Sequence, residues 1–408
     1  MTVGKAYVEH DHDPLRVVIA GGGVAALEAV IALRSLAPGR IDAVVVSATD
    51  ELVYRPLLVG EPFGMGHPHR YPLAGLCAAL GAELVTDEVT GVAAEPHMLQ
   101  TASGMAILYD VLIVALGARP YPAFDNGTTF ERELSPEDFD DVVHDVSDGM
   151  APRVAIVVPD GVSWTLPAYE LALLTAAWGE QAHPDRTCVT LVTHEQQPLE
   201  HFGAAVSAGI RKLLEDERIA LRCGVHPDVI TPTALRIGGT WLGADRIVSL
   251  PLLAGPRLPG LPADIRGFIP ADVLGRVVGV EDVYVAGDCG TFPIKQGGLA
   301  AQQADAVARD VAARAGADVR PRLAGPVLRG LLMTRQGARY LRAELDDLDG
   351  TSTFAHDPLW WPPSKIATRW LAPYLARLDI DHFRHDAPAA PGSATASAEP
   401  WRGPPRRD

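Results

Sequence analysis

The first chemistry in this chain is carried by three consecutive glycines. Gly21, Gly22 and Gly23 follow the apolar run Val17-Val18-Ile19-Ala20, and Ala25 and Ala26 come next, so Gly21-x-Gly23-x-x-Ala26 stands where a buried strand turns into a helix. Gly21 permits the tight turn, Gly23 lets the backbone approach a pyrophosphate, and Ala26 lets helix and strand pack closely. The free N–H groups at the helix start favour an anion, so a dinucleotide phosphate is the ligand this spacing fits. A second candidate is Asp288. The short apolar strand Val283-Tyr284-Val285-Ala286 ends in Gly287-Asp288, and a helix-compatible stretch from Gly297 to Ala313 follows a brief loop. A carboxylate there lies in the crevice where α/β sheets bind ligands and can accept hydrogen bonds from hydroxyl groups; the plainer reading is an N-cap. Thiol chemistry is not indicated. Cys77, Cys188, Cys223 and Cys289 are scattered without a C-x-x-C, which suggests neither a disulfide framework nor a zinc site, and they read as buried cytosolic thiols.

The elements that must hold these groups follow from the pattern. A helix over 24–36, closed by Pro38-Gly39, leads into a second apolar strand, Ala43 to Val46. In an adenosine-binding unit an acidic side chain at the end of that strand holds the ribose. Here the position is Ser47, which can still hydrogen-bond a ribose, with Asp50 one turn on. His67 and His69 fall in a Gly/Pro/His-rich loop, 60–72, and read as solvent-facing. With 408 residues, 48% of them hydrophobic, the chain is long enough for two or three domains with a large core. A net charge of -16 argues against a nucleic-acid partner, whose phosphates need a basic face. No run of 18 apolar residues suggests a membrane-spanning helix. The N-terminus lacks the basic and apolar blocks of a signal peptide. Its His/acid cluster, Glu9 to Asp13, reads as part of a solvated tail.

Three stretches together resemble the two-dinucleotide flavoproteins that include type II NADH dehydrogenases, sulfide:quinone oxidoreductases and flavocytochrome c sulfide dehydrogenases. They are the glycine turn with Glu28, Tyr109-Asp110-Val111-Leu112-Ile113-Val114-Ala115-Leu116-Gly117, and Asp282-Val283-Tyr284-Val285-Ala286-Gly287-Asp288. The resemblance covers about residues 15 to 315. It implies an α/β fold of two Rossmann-like domains, the first discontinuous, with FAD as cofactor. Gly21, Gly22, Gly23, Ala25, Ala26, Ser47, Arg55, Ala115, Gly117, Gly287, Asp288, Gly298, Leu299 and Ala300 are the cofactor contacts it implies. Asp288 would bind the ribityl chain. The helix start at Gly297 to Ala300 would face the end of the isoalloxazine that becomes anionic on reduction.

The same resemblance points to the electron acceptor. Pro293-Ile294-Lys295-Gln296-Gly297 is similar to a Pro-x-Lys-x-Gly segment of sulfide:quinone oxidoreductases, and Ala301-Gln302-Gln303-Ala304 keeps most of a quinone-associated helix pattern of type II NADH dehydrogenases, with Ala306 in place of its last Gln. Lys295 would hold a flavin or quinone oxygen, or be only a solvated loop cation, and Gln302 would line the quinone face. Glu170 matches the helix glutamate beneath the flavin and would handle substrate or protons; the alternative is an ordinary helix-surface carboxylate. The second dinucleotide site departs from the pattern. Between the strand Arg153 to Val158 and a helix from Leu166 to Trp178 stands Pro159-Asp160-Gly161-Val162-Ser163-Trp164-Thr165-Leu166-Pro167, with one glycine and an indole. Asp160 would repel a pyrophosphate, and the side chains at 163 and 164 would block close backbone approach. The strand Cys188 to Val192 ends at Thr193, not an acid, although His194 and Glu195 follow. No cysteine matches the sulfide-oxidising pattern.

The expected organisation is a disordered N-terminus (1–13), an FAD domain (14–125 and 242–320), a nicotinamide-domain-like insertion (126–241), a C-terminal module (321–385) and a disordered tail (386–408). Within the module Ile366, Trp370 and Tyr374 recur at four-residue spacing beside Lys365 and Arg369. Residues 359–378 therefore suit either a peripheral membrane contact or packing on the body or on a dimer partner. The expected activity is two-electron transfer from a small-molecule donor through FAD to a quinone-like acceptor, in a cytoplasmic protein or one held on the inner face of the membrane. A sulfide:quinone oxidoreductase-like enzyme and a flavin-binding scaffold without turnover are the alternatives.

Overall fold

A computed structural model of the chain describes residues 14–131, 138–321, 325–345 and 352–386. The expected disordered N-terminus, 1–13, lies outside these residues, as does the expected tail beyond Asp386.

Two parallel five-stranded sheets form the body. In the first the order is Val283–Val285, Val111–Val114, Leu15–Ala20, Ile41–Ser47, Glu83–Thr86. The strands are apolar on both faces because both are covered. Val17 and Ile19 face a core shared with the helices Val24–Leu36 and Gly297–Arg314, whereas Val18 and Ala20 face a small antiparallel sheet of Val89–Ala93, Met98–Thr101 and Ala106–Leu108. The chain turns one way from Leu15–Ala20 into Ile41–Ser47 while Val111–Val114 flanks it on the other side, so the glycine turn sits where the strand order reverses.

The second sheet repeats this plan with Thr128–Thr129, Arg246–Ser249, Arg153–Val158, Cys188–Thr193 and Ala220–Arg222. It corrects one boundary. Arg246–Ser249 was expected to lie in the returning FAD domain but pairs with Val154 to Val157, because its apolar residues complete the second core. The return falls one step later, where Leu252–Ala254 pairs antiparallel with the outgoing Arg119–Tyr121.

The C-terminal residues add an antiparallel sheet, Val327–Leu332, Arg339–Glu344 and Thr353–Ala355, an irregular stretch, and the helix Leu371–Asp386. The four-residue spacing of Ile366, Trp370 and Tyr374 is not one helical face, since the helix starts only at Leu371. Ile366 and Trp370 are buried against the body, with the Trp370 Nε1 donating to Asp305 at 2.7 Å. That burial removes them from any membrane surface. Among the described residues no helix is long and apolar enough to cross a membrane.

Glu28, five residues past Gly23, fastens this stretch. Its buried carboxylate accepts the N–H groups of Arg369 (3.0 Å), Trp370 (3.0 Å) and Leu371 (2.6 Å). Burial pushes its carboxyl up to about 7, against the pull of those three donors.

The helix Gly297–Arg314 is tied to its strand by a buried carboxylate. Asp310 accepts the Tyr284 hydroxyl at 2.6 Å and the Nε and Nη2 groups along one edge of the Arg276 guanidinium at 2.7 to 3.0 Å. Burial opposes its charge, but Arg276 and Tyr284 outweigh it and hold the carboxyl below its usual range. Stability from a depressed carboxyl is present above its unfolded pKa and is lost as pH falls through the folded value. Asp310→Ala should cost about 3 kcal/mol, between an exposed pair and a fully buried one because Arg276 is half exposed. Urea unfolding should show a lower midpoint at neutral pH, and a difference from wild type that narrows in acid.

Candidate functional site

The glycine turn is dictated by close approach. Gly21 has φ 127°, and a Cβ there would lie 2.2 Å from the Ala115 carbonyl oxygen. A Cβ on Gly22 would meet Leu73 and the Ser47 Oγ at 2.5 Å each, whereas one on Gly23 would enter open space with no atom within 4 Å. The following helix has no side-chain cap, so its first N–H groups are free to receive an anion above Gly23. Gly287, at φ 82°, lies between Ala25 and Ala300: its Cβ would sit 3.2 and 3.3 Å from theirs. Two helix N-termini are thereby brought to one crevice, with buried Ala26 beneath and Gly117, at φ 71° with open space at its Cβ position, beside it. The residues present fit the pyrophosphate and ribityl portions of a flavin dinucleotide.

Four expected contacts are modified. Ser47 is buried under the turn, its Oγ accepting the Thr49 N–H at 3.3 Å. Leu299 N–H is capped by the Gln296 Oε1 at 2.8 Å and Ala300 N–H bonds the Gln296 carbonyl at 2.9 Å. Gly297 and Gly298 are therefore the part of that turn left to face a ligand. Arg55 opens a 3₁₀ turn and faces Glu131 at 3.9 Å.

Between the two sheets lies a cavity of about 670 Å³ that brings Asp288, Lys295 and Glu170 together. Burial pushes the Asp288 carboxyl up to about 6, with the Lys295 charge pulling the other way. Lys295 is no solvated cation: it is 9% exposed, its Nζ 4.0 Å from the Phe268 ring centre, bonded to the Gly290 carbonyl and lowered in pKa by burial. Glu170 is no surface carboxylate either. It is 1% exposed, accepts the Met333 N–H at 2.7 Å, and forms a buried ion pair with Lys365. Burial raises its pKa, and Lys365 and Met333 partly offset this. The cavity wall combines apolar side chains, among them Val59, Phe139, Trp164, Leu331 and Ile366, with charged ones such as Arg55 and Arg266.

The loop of the second unit closes on this cavity. Ser163 Oγ accepts the Lys295 backbone N–H at 3.3 Å, and the Trp164 ring packs on Phe202 with centres 6.0 Å apart. At the end of the second strand stands Glu195, fully engaged from within. It accepts Tyr169 (2.7 Å), Thr165 (2.9 Å) and Thr193 (3.0 Å) hydroxyls, so the acid that would hold a ribose is spent on the start of its own helix.

Gln302 does not join the site. Its amide is committed to the backbone of Val327 (2.8 and 2.9 Å) and to the Gly298 carbonyl (3.1 Å), and it borders a separate cavity on the far side of its helix. The helix pattern that suggested it could not show that a later strand would take up its hydrogen bonds. No cysteine lines the 670 Å³ cavity; Cys289 is buried, its thiol 3.4 Å from the Val114 and Ala286 carbonyls and pushed up to about 11 by burial. Sequence reasoning missed Lys365 as a site residue. A lysine close to two prolines and two tryptophans carried no spacing signal to Glu170, because the two residues lie far apart along the chain.

A family model described as pyridine nucleotide-disulphide oxidoreductase matches residues 15–306. An NADH dehydrogenase-like protein of Mycobacterium tuberculosis is 26% identical over 291 residues, covering 67% of this chain and 72% of that protein. The fold is similar to the sulfide:quinone oxidoreductase of Aquifex aeolicus, with a TM-score of 0.75 at 19% identity over 91% of both chains. It is also similar to a ferredoxin reductase of Rhodopseudomonas palustris, with a TM-score of 0.61 at 20% identity over 82% of each.

Lys365→Met leaves Glu170 buried without its counter-charge and should cost about 3–5 kcal/mol. Most of that loss should return in Glu170→Gln/Lys365→Met, because a neutral pair carries no uncompensated charge; urea unfolding of the two single variants and the double variant measures the coupling.

Proposed function

Because the chain belongs to the pyridine nucleotide-disulphide oxidoreductase family and is an FAD-dependent oxidoreductase, we propose that it passes two electrons from a small-molecule donor through FAD to a quinone-like acceptor held in the 670 Å³ cavity. The observation that carries this reading is the buried Glu170–Lys365 pair, which shares one cavity with Asp288, Lys295 and the apolar side chains of Val59, Leu331 and Ile366. Bound FAD supplies the storage of an electron pair between donor and acceptor. The chain's own groups do the rest. Asp288 accepts ribityl hydroxyls and Lys295 keeps positive charge beside the crevice. The apolar side chains receive a quinone ring and exclude water. Reduction of a quinone to its quinol takes two electrons and two protons; the Glu170–Lys365 pair hands one proton to an acceptor oxygen, and the other comes from solvent at the cavity mouth. Such an acceptor places the protein peripherally at a membrane, on its cytoplasmic side. Trp361, 84% exposed, is the aromatic of the 359–378 segment free to touch it.

The donor is a molecule other than a nicotinamide dinucleotide. In the loop where its pyrophosphate would lie, Ser163 is bonded to the Lys295 backbone and Trp164 packs on Phe202, and Glu195 is already engaged. Sulfide is disfavoured by the lack of a thiol in the cavity. Under anaerobic conditions NADH, NADPH and sulfide should each fail to bleach the flavin rapidly, whereas photochemically reduced flavin should be reoxidised quickly by ubiquinone-1. Fast bleaching by NADH would overturn the reading of the loop, and a reduced flavin inert to quinone would sink the acceptor.

Ribityl hydroxyls bond a carboxylate better than a neutral carboxyl, so FAD binding favours ionised Asp288, whose carboxyl stands at about 6 before the cofactor arrives. FAD affinity should therefore rise as pH increases through that value and lose this dependence in Asp288→Asn, as measured by flavin fluorescence quenching on titration of the apoprotein.

A further inference from the structure

The Glu170–Lys365 pair joins residues from two distant stretches, so where Lys365 arrives depends on how its segment is held. Its segment is anchored elsewhere. One residue on, the Ile366 N–H donates to the Tyr54 hydroxyl at 2.7 Å. Four to six residues on, the N–H groups of Arg369, Trp370 and Leu371 all end on the Glu28 carboxylate, at 3.0, 3.0 and 2.6 Å. Thr368 Oγ1 takes the next free donor, Ala372 N–H, at 2.6 Å. Glu28 thus caps the start of the last helix from across the molecule, with an acceptor that bonds several donors at once. Its own helix begins at the glycine turn, so one rigid element carries both the cofactor's phosphate site and the anchor of the segment that supplies Lys365.

We propose that Glu28 is a positioning residue for the acceptor chemistry: by fixing residues 369–371 it sets Lys365 against Glu170. Glu28 does not line the 670 Å³ cavity and touches no reacting atom. It acts through the backbone of the segment, with Tyr54 as a second anchor. Among the described residues Lys365 is the charged group bonded to Glu170, and Met333 supplies its backbone bond. Displacing Lys365 therefore leaves Glu170 protonated over a wider pH range.

This inference rests on the acceptor reading above, and the test separates the two. FAD-loaded full chain is photoreduced without oxygen and mixed with ubiquinone-1, and reoxidation is followed across pH for the wild type, Lys365→Met, Glu28→Ala, Glu28→Gln and Tyr54→Phe. In parallel, the carboxyl stretching band that Glu170→Gln removes is titrated by infrared difference spectroscopy. Lys365→Met should move the Glu170 titration up by about one to three units. Glu28→Ala should move it in the same direction and raise the half-saturating quinone concentration several-fold. Glu28→Gln, whose amide oxygen still accepts backbone donors, should fall between Glu28→Ala and wild type, and Tyr54→Phe should shift the same way. A Glu170 titration unchanged in Glu28→Ala would overturn the proposal. If that variant fails to fold, an unchanged titration in both Glu28→Gln and Tyr54→Phe would do so. Should wild-type reduced flavin be inert to the quinone, the acceptor reading falls, while the infrared titration still decides the role of Glu28.

Discussion

The constraint on which the site depends is the approach of two helices across Gly287. With Ala25 on one side and Ala300 on the other, a Cβ at 287 would crowd both, and the backbone adopts φ 82°, which favours glycine, to make the turn. That contact brings the N-terminus of the glycine-turn helix and that of Gly297–Arg314 to one crevice at the carboxyl ends of the strands. Two N-termini converging on one place favour a ligand with negative charge at both its phosphates and its reactive ring. The Asp310 clasp to Arg276 and Tyr284 keeps the second helix seated on its strand.

The two Rossmann-like units have diverged in what they do with the same plan. In the first, the turn is left open: Gly23 has free space and the helix start has no cap. In the second, the equivalent region is filled from inside. Ser163 reaches the Lys295 backbone, Trp164 packs on Phe202, and Glu195 bonds Thr165 and Tyr169 at the start of its own helix. A strand-turn-helix can keep its architecture while its polar groups are satisfied from within the protein.

Burial governs the site's electrostatics. Glu28, Glu170 and Asp288 are all raised by desolvation, yet each is answered differently: by three backbone donors, by a buried lysine, and by the nearby Lys295 charge. The first arrangement is purely structural in its immediate contacts. The other two lie in the cavity, in contact with whatever occupies it.

Local pattern was enough for the glycine turn, the helix Val24–Leu36, the strand Arg153–Val158 and the crevice at Asp288, because strand-turn-helix chemistry is written in consecutive residues and repeats with period two or 3.6. The membership of Arg246–Ser249, the use of Gln302 and the burial of Ile366 and Trp370 were not legible, since each depends on a partner far along the chain. The same holds for the Glu170–Lys365 pair and for Glu28 on the last helix. Amphipathic spacing says that a side chain needs cover, but it carries no information on whether lipid, a partner or the protein's own body provides it; long-range packing made that choice.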